Sequence, residues 1–287
     1  MTMPSNLPDS PDPHAKRLRL RALIDQNRPI PVLGAADALS ARQIAAGGQP
    51  AVYVGSYATA ASRFGLPDTG LLSADDLIAQ ARSIVDAVDV PVIADAEGGF
   101  TSAGNLWKVI QGFEAAGVSA IHLEDHTGAG KHTDLPQTLR PMGEAAARIR
   151  AAVDARRDPD FLVIARTDAF WVHRDLDDCI ARLRAYEEAG ADMIFPSGIG
   201  LGELAAIRAA TRKPIMVVDI AGAGAAQHQG ANLILFYAFS VLNHYAAMQA
   251  ALAEFARRDA YAGPVAQFEA FLDYRGFVDR SKRYAGD

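Results

Sequence analysis

The sequence predicts an α/β protein built as a (β/α)8 TIM-type barrel. Three observations lead there. First, a helical pattern ending in glycine is followed within a few residues by an apolar run, and this unit recurs four times. Glycine just past a helix takes the left-handed conformation at little cost, so the repeat marks helix ends. Second, the apolar runs are continuous rather than alternating, as expected of parallel strands covered on both faces. Third, the runs number eight, with largely amphipathic segments between them.

In chain order, His14 to Gln26 reads as a helix ahead of the first strand, covering the barrel bottom. Strand one is Ile30–Leu33. Ala45-Ala46-Gly47-Gly48 then precedes strand two, Ala51 to Val54, and Val92–Ala94 forms strand three. Glu114-Ala115-Ala116-Gly117 precedes strand four, Ala120 to Leu123, and strand five is Phe161–Ala165. Leu176, Ile180 and Leu183 form the inner stripe of the next helix. Glu188-Ala189-Gly190 precedes strand six, Met193 to Phe195. Strand seven is Ile215–Val218, and Gln229-Gly230 precedes strand eight, Leu233 to Phe236. A doubly wound open sheet is the runner-up, weakened by the lack of a Gly-x-Gly-x-x-Gly fingerprint after strand one.

The expected division is a disordered tail over residues 1–13, a barrel over 14–258 and a helical extension over 259–287. The tail has four prolines and no apolar core, unlike a secretory signal. In the extension Phe268, Phe271, Leu272 and Phe277 have no barrel position left to fill. They pack on their own barrel or against a neighbouring subunit, since exposed apolar patches mark interfaces.

A length of 287 residues suits one α/β barrel, and an apolar share of 50% excludes wholesale disorder. The net charge is −6 and there is no basic block, which argues against a nucleic-acid partner. No apolar run reaches the ~18 residues of a membrane span. A single cysteine cannot form an internal disulfide, which fits a reducing, cytoplasmic setting. Cys179 shares a helix face with Leu176 and Leu183 and reads as a core residue.

Barrel chemistry sits at the C-terminal ends of strands. Strand two runs into Gly55-Ser56-Tyr57, strand three into Asp95-Ala96-Glu97-Gly98-Gly99 and strand four into Glu124-Asp125-His126. Strand five runs into Arg166-Thr167-Asp168, strand six into Pro196-Ser197-Gly198 and strand seven into Asp219. Asp95, Glu97, Glu124 and Asp125 thus gather on two consecutive strand ends. Crowded carboxylates repel unless a cation joins them, and hard oxygen donors without cysteine suit Mg²⁺ or Mn²⁺. Alternatively, these acids cap helices or pair with Arg and Lys. Arg166 ends an otherwise apolar run, so it pairs with a barrel acid, grips an anionic substrate, or does both. His122 reads as a barrel-interior histidine. The loop from Asp125 to Gly143 holds His126, Gly128, Gly130, Lys131, His132 and Asp134, a composition suited to a mobile lid carrying an acid or base.

Tyr53-Val54-Gly55-Ser56, Gly65-Leu66-Pro67-Asp68, Asp95-Ala96-Glu97-Gly98-Gly99-Phe100, His122-Leu123-Glu124-Asp125 and Ala165-Arg166-Thr167-Asp168 occur in that order. With these motifs the chain resembles the isocitrate lyase / phosphoenolpyruvate mutase superfamily over roughly Ile30 to Asp287. The resemblance implies a Mg²⁺ site, small 2-oxo or 2-hydroxy acid substrates, an enolate-type intermediate and a homo-oligomer. The oligomer would be a dimer of dimers with the C-terminal helix exchanged between subunits. It also implies Asp95 as principal metal ligand, Glu97 and Glu124 holding metal waters and Asp68 beside them. Tyr53 lies in the substrate-binding motif, Gly55, Ser56 and Tyr57 would cradle the substrate carboxylate, His122 would line the pocket, and Arg166 would stabilise the oxyanion.

Three departures bear on the reaction. Glu97 stands where the superfamily usually has Asp. The lid has Gly130-Lys131-His132-Thr133-Asp134 where the lyase branch carries a proton-donating Cys, which leaves His132 or Lys131 as donor. Ser197 stands where tricarboxylate lyases have Glu, and Asp219 near where they have Asn, so the pocket is expected to take a different, smaller substrate. The expected activity is a Mg²⁺-dependent carbon–carbon lyase on a 2-hydroxy or 2-oxo (di)carboxylic acid. Alternatives are an oxaloacetate-type hydrolase or decarboxylase, a phosphonopyruvate-type C–P enzyme, and a barrel that binds without catalysing. The C–P branch usually carries an Asn-bearing loop, and no Asn lies between Asp125 and Gly143.

Overall fold

The computed structural model describes residues 12–127, 133, 135–220 and 222–284. Among them the chain divides into two compact units, one running to Asn243 and the other starting at His244.

The first unit is an eight-stranded, all-parallel sheet. Its strands are β1 (Ile30–Gly34), β2 (Val52–Val54), β3 (Val92–Asp95), β4 (Ala120–Glu124), β5 (Leu162–Thr167), β6 (Met193–Pro196), β7 (Met216–Val218) and β8 (Leu233–Phe236). The order is β6-β5-β4-β3-β2-β1-β8-β7. A parallel bridge from Ile194 to Ile215 joins the two ends of that order and closes the ring. The four glycines of the recurring unit, Gly48, Gly117, Gly190 and Gly230, all have positive φ, as the left-handed position requires.

Side chains alternate between two environments along each strand. The inner set fills the barrel with Ile30, Val32, Tyr53, Ile93, Ile164, Phe195 and Leu235. The outer set, including Val92, Ala94, Ile121, Leu123, Val163 and Ala165, packs under the surrounding helices. The helix Pro13–Ile24 supplies Leu20 and Ile24 to the inner cluster and so covers the bottom of the barrel, as its sequence position suggests. Buried Lys16 secures that helix by donating to the carbonyls of Val85 (3.0 Å) and Val88 (2.6 Å).

β3, β4 and β5 run one or two residues further than the apolar pattern indicates, taking in Asp95, Glu124, Arg166 and Thr167. These polar residues continue the ladder, with Asp95 opposite His122 and Glu124 opposite Arg166. Cys179 is fully buried, and burial pushes its thiol up to about 12, consistent with a core role. In the second unit the helix that begins at Phe239 runs on to Arg258, followed by helices Val265–Phe271 and Tyr274–Tyr284. None of the described helices is long and apolar enough to cross a membrane.

Candidate active site

Inner-facing parity puts Asp95, His122, Glu124 and Arg166 on one side of the ladder at its C-terminal end. Donor atoms of Asp95, His122 and Glu124 lie within 4.8 Å of one another, and all three residues are buried. Asp95 is positioned by neutral donors: the Glu97 amide gives to its Oδ1 (2.8 Å) and the Ser56 hydroxyl to its Oδ2 (3.1 Å). The same Ser56 hydroxyl lies 3.0 Å from Asp68 Oδ2, tying the two carboxylates together. His122 shares a 2.9 Å hydrogen bond with Tyr53 Oη through Nε2, and its Nδ1 lies 3.5 Å from Asp95 Oδ1. Burial drives the Tyr53 hydroxyl well above its ordinary pKa, with Asp95 adding to the effect, so Tyr53 stays protonated and can donate.

Arg166 is held on two sides. Its Nε and Nη2 donate to the two oxygens of Asp168 (2.7 and 3.1 Å), and Nη1 lies 3.2 Å from Glu124 Oε2. Its guanidinium also covers the Phe195 ring at 5.3 Å. Burial alone would lower its proton affinity, but Asp168, Glu124 and Asp95 raise it well above the usual arginine value. Asp168 was not singled out in the sequence, although an i, i+2 spacing from Arg166 places both on one face of an extended chain.

Above this floor opens a cavity of about 460 Å³. Tyr53, Gly55, Ser56, Tyr57, Asp68, Asp95, Arg166, Ser197 and Asp219 all line it, so most of the predicted substrate residues share one space. His122 is not among the lining residues and sits beneath the floor. Trp171, Ile199, Val218, Ile220, Leu235 and Tyr237 supply a largely apolar remainder, which the sequence did not single out. Gly55 abuts the Tyr53 ring, where a Cβ would come within 2.6 Å.

One expectation changes place. Asp125 follows Glu124 but faces outward, away from the metal-ligand group. It accepts from Thr167 Oγ1 (2.6 Å), the Asp168 amide (3.0 Å) and Tyr186 Oη (2.8 Å), and pairs with Arg182 (3.2 Å). It therefore braces the turn that carries Asp168. Glu97 has a left-handed backbone (φ 47°), and it lines a second cavity of about 370 Å³ with Gly98, Phe100, His126 and Arg140. Lys131 and His132 lie outside the described residues.

The donor set fits a hard divalent cation. Buried Asp68, Asp95 and Glu124 gather at this end of the barrel, with Asp168 held by Arg166 beside them. Oxygen donors without thiolate match Mg²⁺ or Mn²⁺, and an ion would offset the mutual repulsion of Asp95 and Glu124.

The family model for phosphoenolpyruvate phosphomutase matches residues 20–256. The chain belongs to that family, within the isocitrate lyase / phosphoenolpyruvate mutase superfamily. It is 40% identical to 2,3-dimethylmalate lyase of Eubacterium barkeri over 178 residues, 62% of this chain and 61% of that protein. The alignment thus spans about three fifths of the relative's length. The phosphoenolpyruvate phosphomutase of Streptomyces platensis subsp. rosaceus superposes with a TM-score of 0.86 at 28% identity, over 93% of this chain and 99% of that one. A phosphonopyruvate hydrolase solved with oxalate and Mg²⁺ superposes at 0.83 and 27% identity, over 94% of this chain and 99% of that one. The superfamily to which the chain belongs includes lyases, mutases and hydrolases.

Proposed function

We propose that this protein is a Mg²⁺-dependent carbon–carbon bond lyase acting on a small 2-hydroxy or 2-oxo acid through an enolate-type intermediate. The carrying observation is that buried Asp95 and Arg166 line one largely apolar chamber, with buried Glu124 grouped with Asp95 and 3.2 Å from Arg166. Likeness to 2,3-dimethylmalate lyase supports the reading.

In this reading Asp95 and Glu124 would hold the ion, Glu97 and Asp68 would order its waters, and the ion would supply Lewis-acid stabilisation of the negative charge that develops on the substrate. Gly55, Ser56 and Tyr57 receive the C1 carboxylate. Arg166 meets the oxyanion that develops as the bond breaks, and its clamp on Asp168 means it need not reorganise to do so. Phe195, stacked beneath the guanidinium, keeps water from its face. Lys131 or His132 returns a proton to the departing carbon. An imidazole suits that step, its unperturbed pKa of about 6.5 being near working pH.

The test is a proton-NMR turnover screen with and without Mg²⁺ over substituted malates, isocitrates, oxaloacetate and phosphonopyruvate. The expected result is metal-dependent release of a 2-oxo acid from a malate-type compound. Likeness to phosphonopyruvate hydrolase supports a second reading, hydrolysis of a phosphonopyruvate- or oxaloacetate-type acid. Inorganic phosphate released from phosphonopyruvate, seen by phosphorus NMR, would establish it in place of the first.

A further inference from the structure

β3 and β7 are diametrically opposed on the ring, four steps apart in either direction around the order β6-β5-β4-β3-β2-β1-β8-β7. Asp95 ends β3 and Asp219 follows β7, yet both line the same cavity. A substrate anchored at Asp95 and Ser56 therefore extends its far end toward Asp219 and its neighbour Ser197, which follows β6.

The chemistry of that far wall is unusual for a site taking anions. Arg166, which ends β5 beside β6, is the single cation among the described residues of the cavity wall, and its guanidinium is already engaged by Asp168 and Glu124. Asp219 Oδ1 accepts from the Gly224 amide (3.1 Å), and its next neighbour is His228 Nε2 at 3.7 Å. That nitrogen accepts the Ile220 amide (2.9 Å), while Nδ1 lies 2.9 Å from the Gly224 carbonyl and must be the donor. His228 is thus the neutral Nδ1–H tautomer and leaves the charge on Asp219 standing. Ser197, on the same wall, makes no side-chain hydrogen bond among the described residues. The surroundings are apolar: Trp171, Ile199, Val218 and Ile220.

We infer that Asp219 and Ser197 form a specificity subsite that takes a substrate tail ending in a neutral hydrogen-bond donor, a hydroxyl above all, and turns away a tail ending in a carboxylate. This deepens the proposed lyase reading and rests on it for the placement of the substrate head. A hydroxyl tail donates to Asp219 and accepts from Ser197. A carboxylate tail meets a like charge, and the one cation among the described residues of the wall, Arg166, is already engaged by Asp168 and Glu124.

The probes are three malates with a common methylmalate core whose C3 substituent is hydroxyethyl, propyl or carboxymethyl. Their affinities are measured by calorimetry on the full chain with Mg²⁺, and their cleavage is followed separately by NMR. The expected affinity order is hydroxyethyl, then propyl, then carboxymethyl, with the first and last at least tenfold apart. In Asp219→Asn, which keeps the Gly224 contact, the gap narrows at least fivefold because carboxymethyl binding improves. Ser197→Ala weakens hydroxyethyl binding alone. An order led by carboxymethyl, equal effects of Asp219→Asn on all three compounds, or no binding of any at millimolar concentration overturns the inference. Binding in the expected order without cleavage supports the subsite and defeats the lyase reading.

Discussion

Glu124 and Arg166 are register partners on adjacent strands, and their side chains meet 3.2 Å apart at the mouth of the barrel. The pairing leaves Arg166 between an acid that faces the candidate metal site and a second acid, Asp168, that fixes its plane. A guanidinium fits this double engagement because its donors form a rigid fork, whereas an ammonium offers a point charge. Arg166→Lys is therefore expected to lower kcat by about 10²- to 10³-fold, the scale of losing one preorganised oxyanion donor. Steady-state kinetics at saturating Mg²⁺ checks this, and a kcat within threefold of wild type would remove Arg166 from the chemistry.

Asp95 is expected to decide metal affinity. Wild-type protein should gain thermal stability on adding Mg²⁺, by about 2.7 kcal/mol when the ion is at a hundredfold excess over its Kd. Asp95→Asn should lose that increment while unfolding no earlier than wild type in chelator, since it relieves crowding with Glu124 and Asp68. Calorimetric scans of both proteins, with Mg²⁺ and with chelator, separate the two effects.

Asp125 should matter to stability and not to metal binding. Asp125→Ala removes the acceptor of Thr167 and Tyr186 and one of the partners of Arg182, which keeps Asp178 and the Arg140 carbonyl, with an expected cost of about 1–3 kcal/mol for leaving buried donors unpaired. Urea unfolding measures that cost. An unchanged Mg²⁺ affinity in the folded fraction is the accompanying expectation.

Asp158 predicts an acid limb in the stability profile. Burial would raise its pKa, but hydrogen bonds from Arg17, the Asp160 amide and His14 hold it at about 2. A folded-state pKa below the unfolded one contributes stability that is fully present above about pH 4 and lost as the pH falls through 2. Asp158→Asn should flatten the urea midpoint between those values relative to wild type.

Along the helix Phe239–Arg258, Tyr245, Met248, Leu252 and Phe255 recur at three- and four-residue spacings, so they share a face, and all four are exposed. Such a stripe is expected to be covered by another copy of the chain. Sedimentation at micromolar concentration should show an oligomer, and Leu252→Arg combined with Phe255→Arg should lower its mass.

Much of the site was readable because barrel strands follow simple rules. Continuous apolar runs located the eight strands, and the residues following them included Asp95, Glu124 and Arg166. Asp125 was misgrouped because adjacency to Glu124 suggested a shared site, whereas consecutive strand residues point to opposite faces. The role of Asp168 as the clamp on Arg166, and that of Trp171 as a wall of the cavity, depend on a turn and a short helix after β5 that no periodicity announces.

The sequence alone determined the architecture, since each helix–glycine–strand unit is a local pattern whose burial on both faces admits a parallel barrel. It also determined which strand ends carry charge. Only the tertiary structure decided which charges meet: ring closure set β3 against β7, and strand parity sent Glu124 inward and Asp125 outward. Those outcomes depend on distances between segments far apart in the chain, which local pattern does not encode.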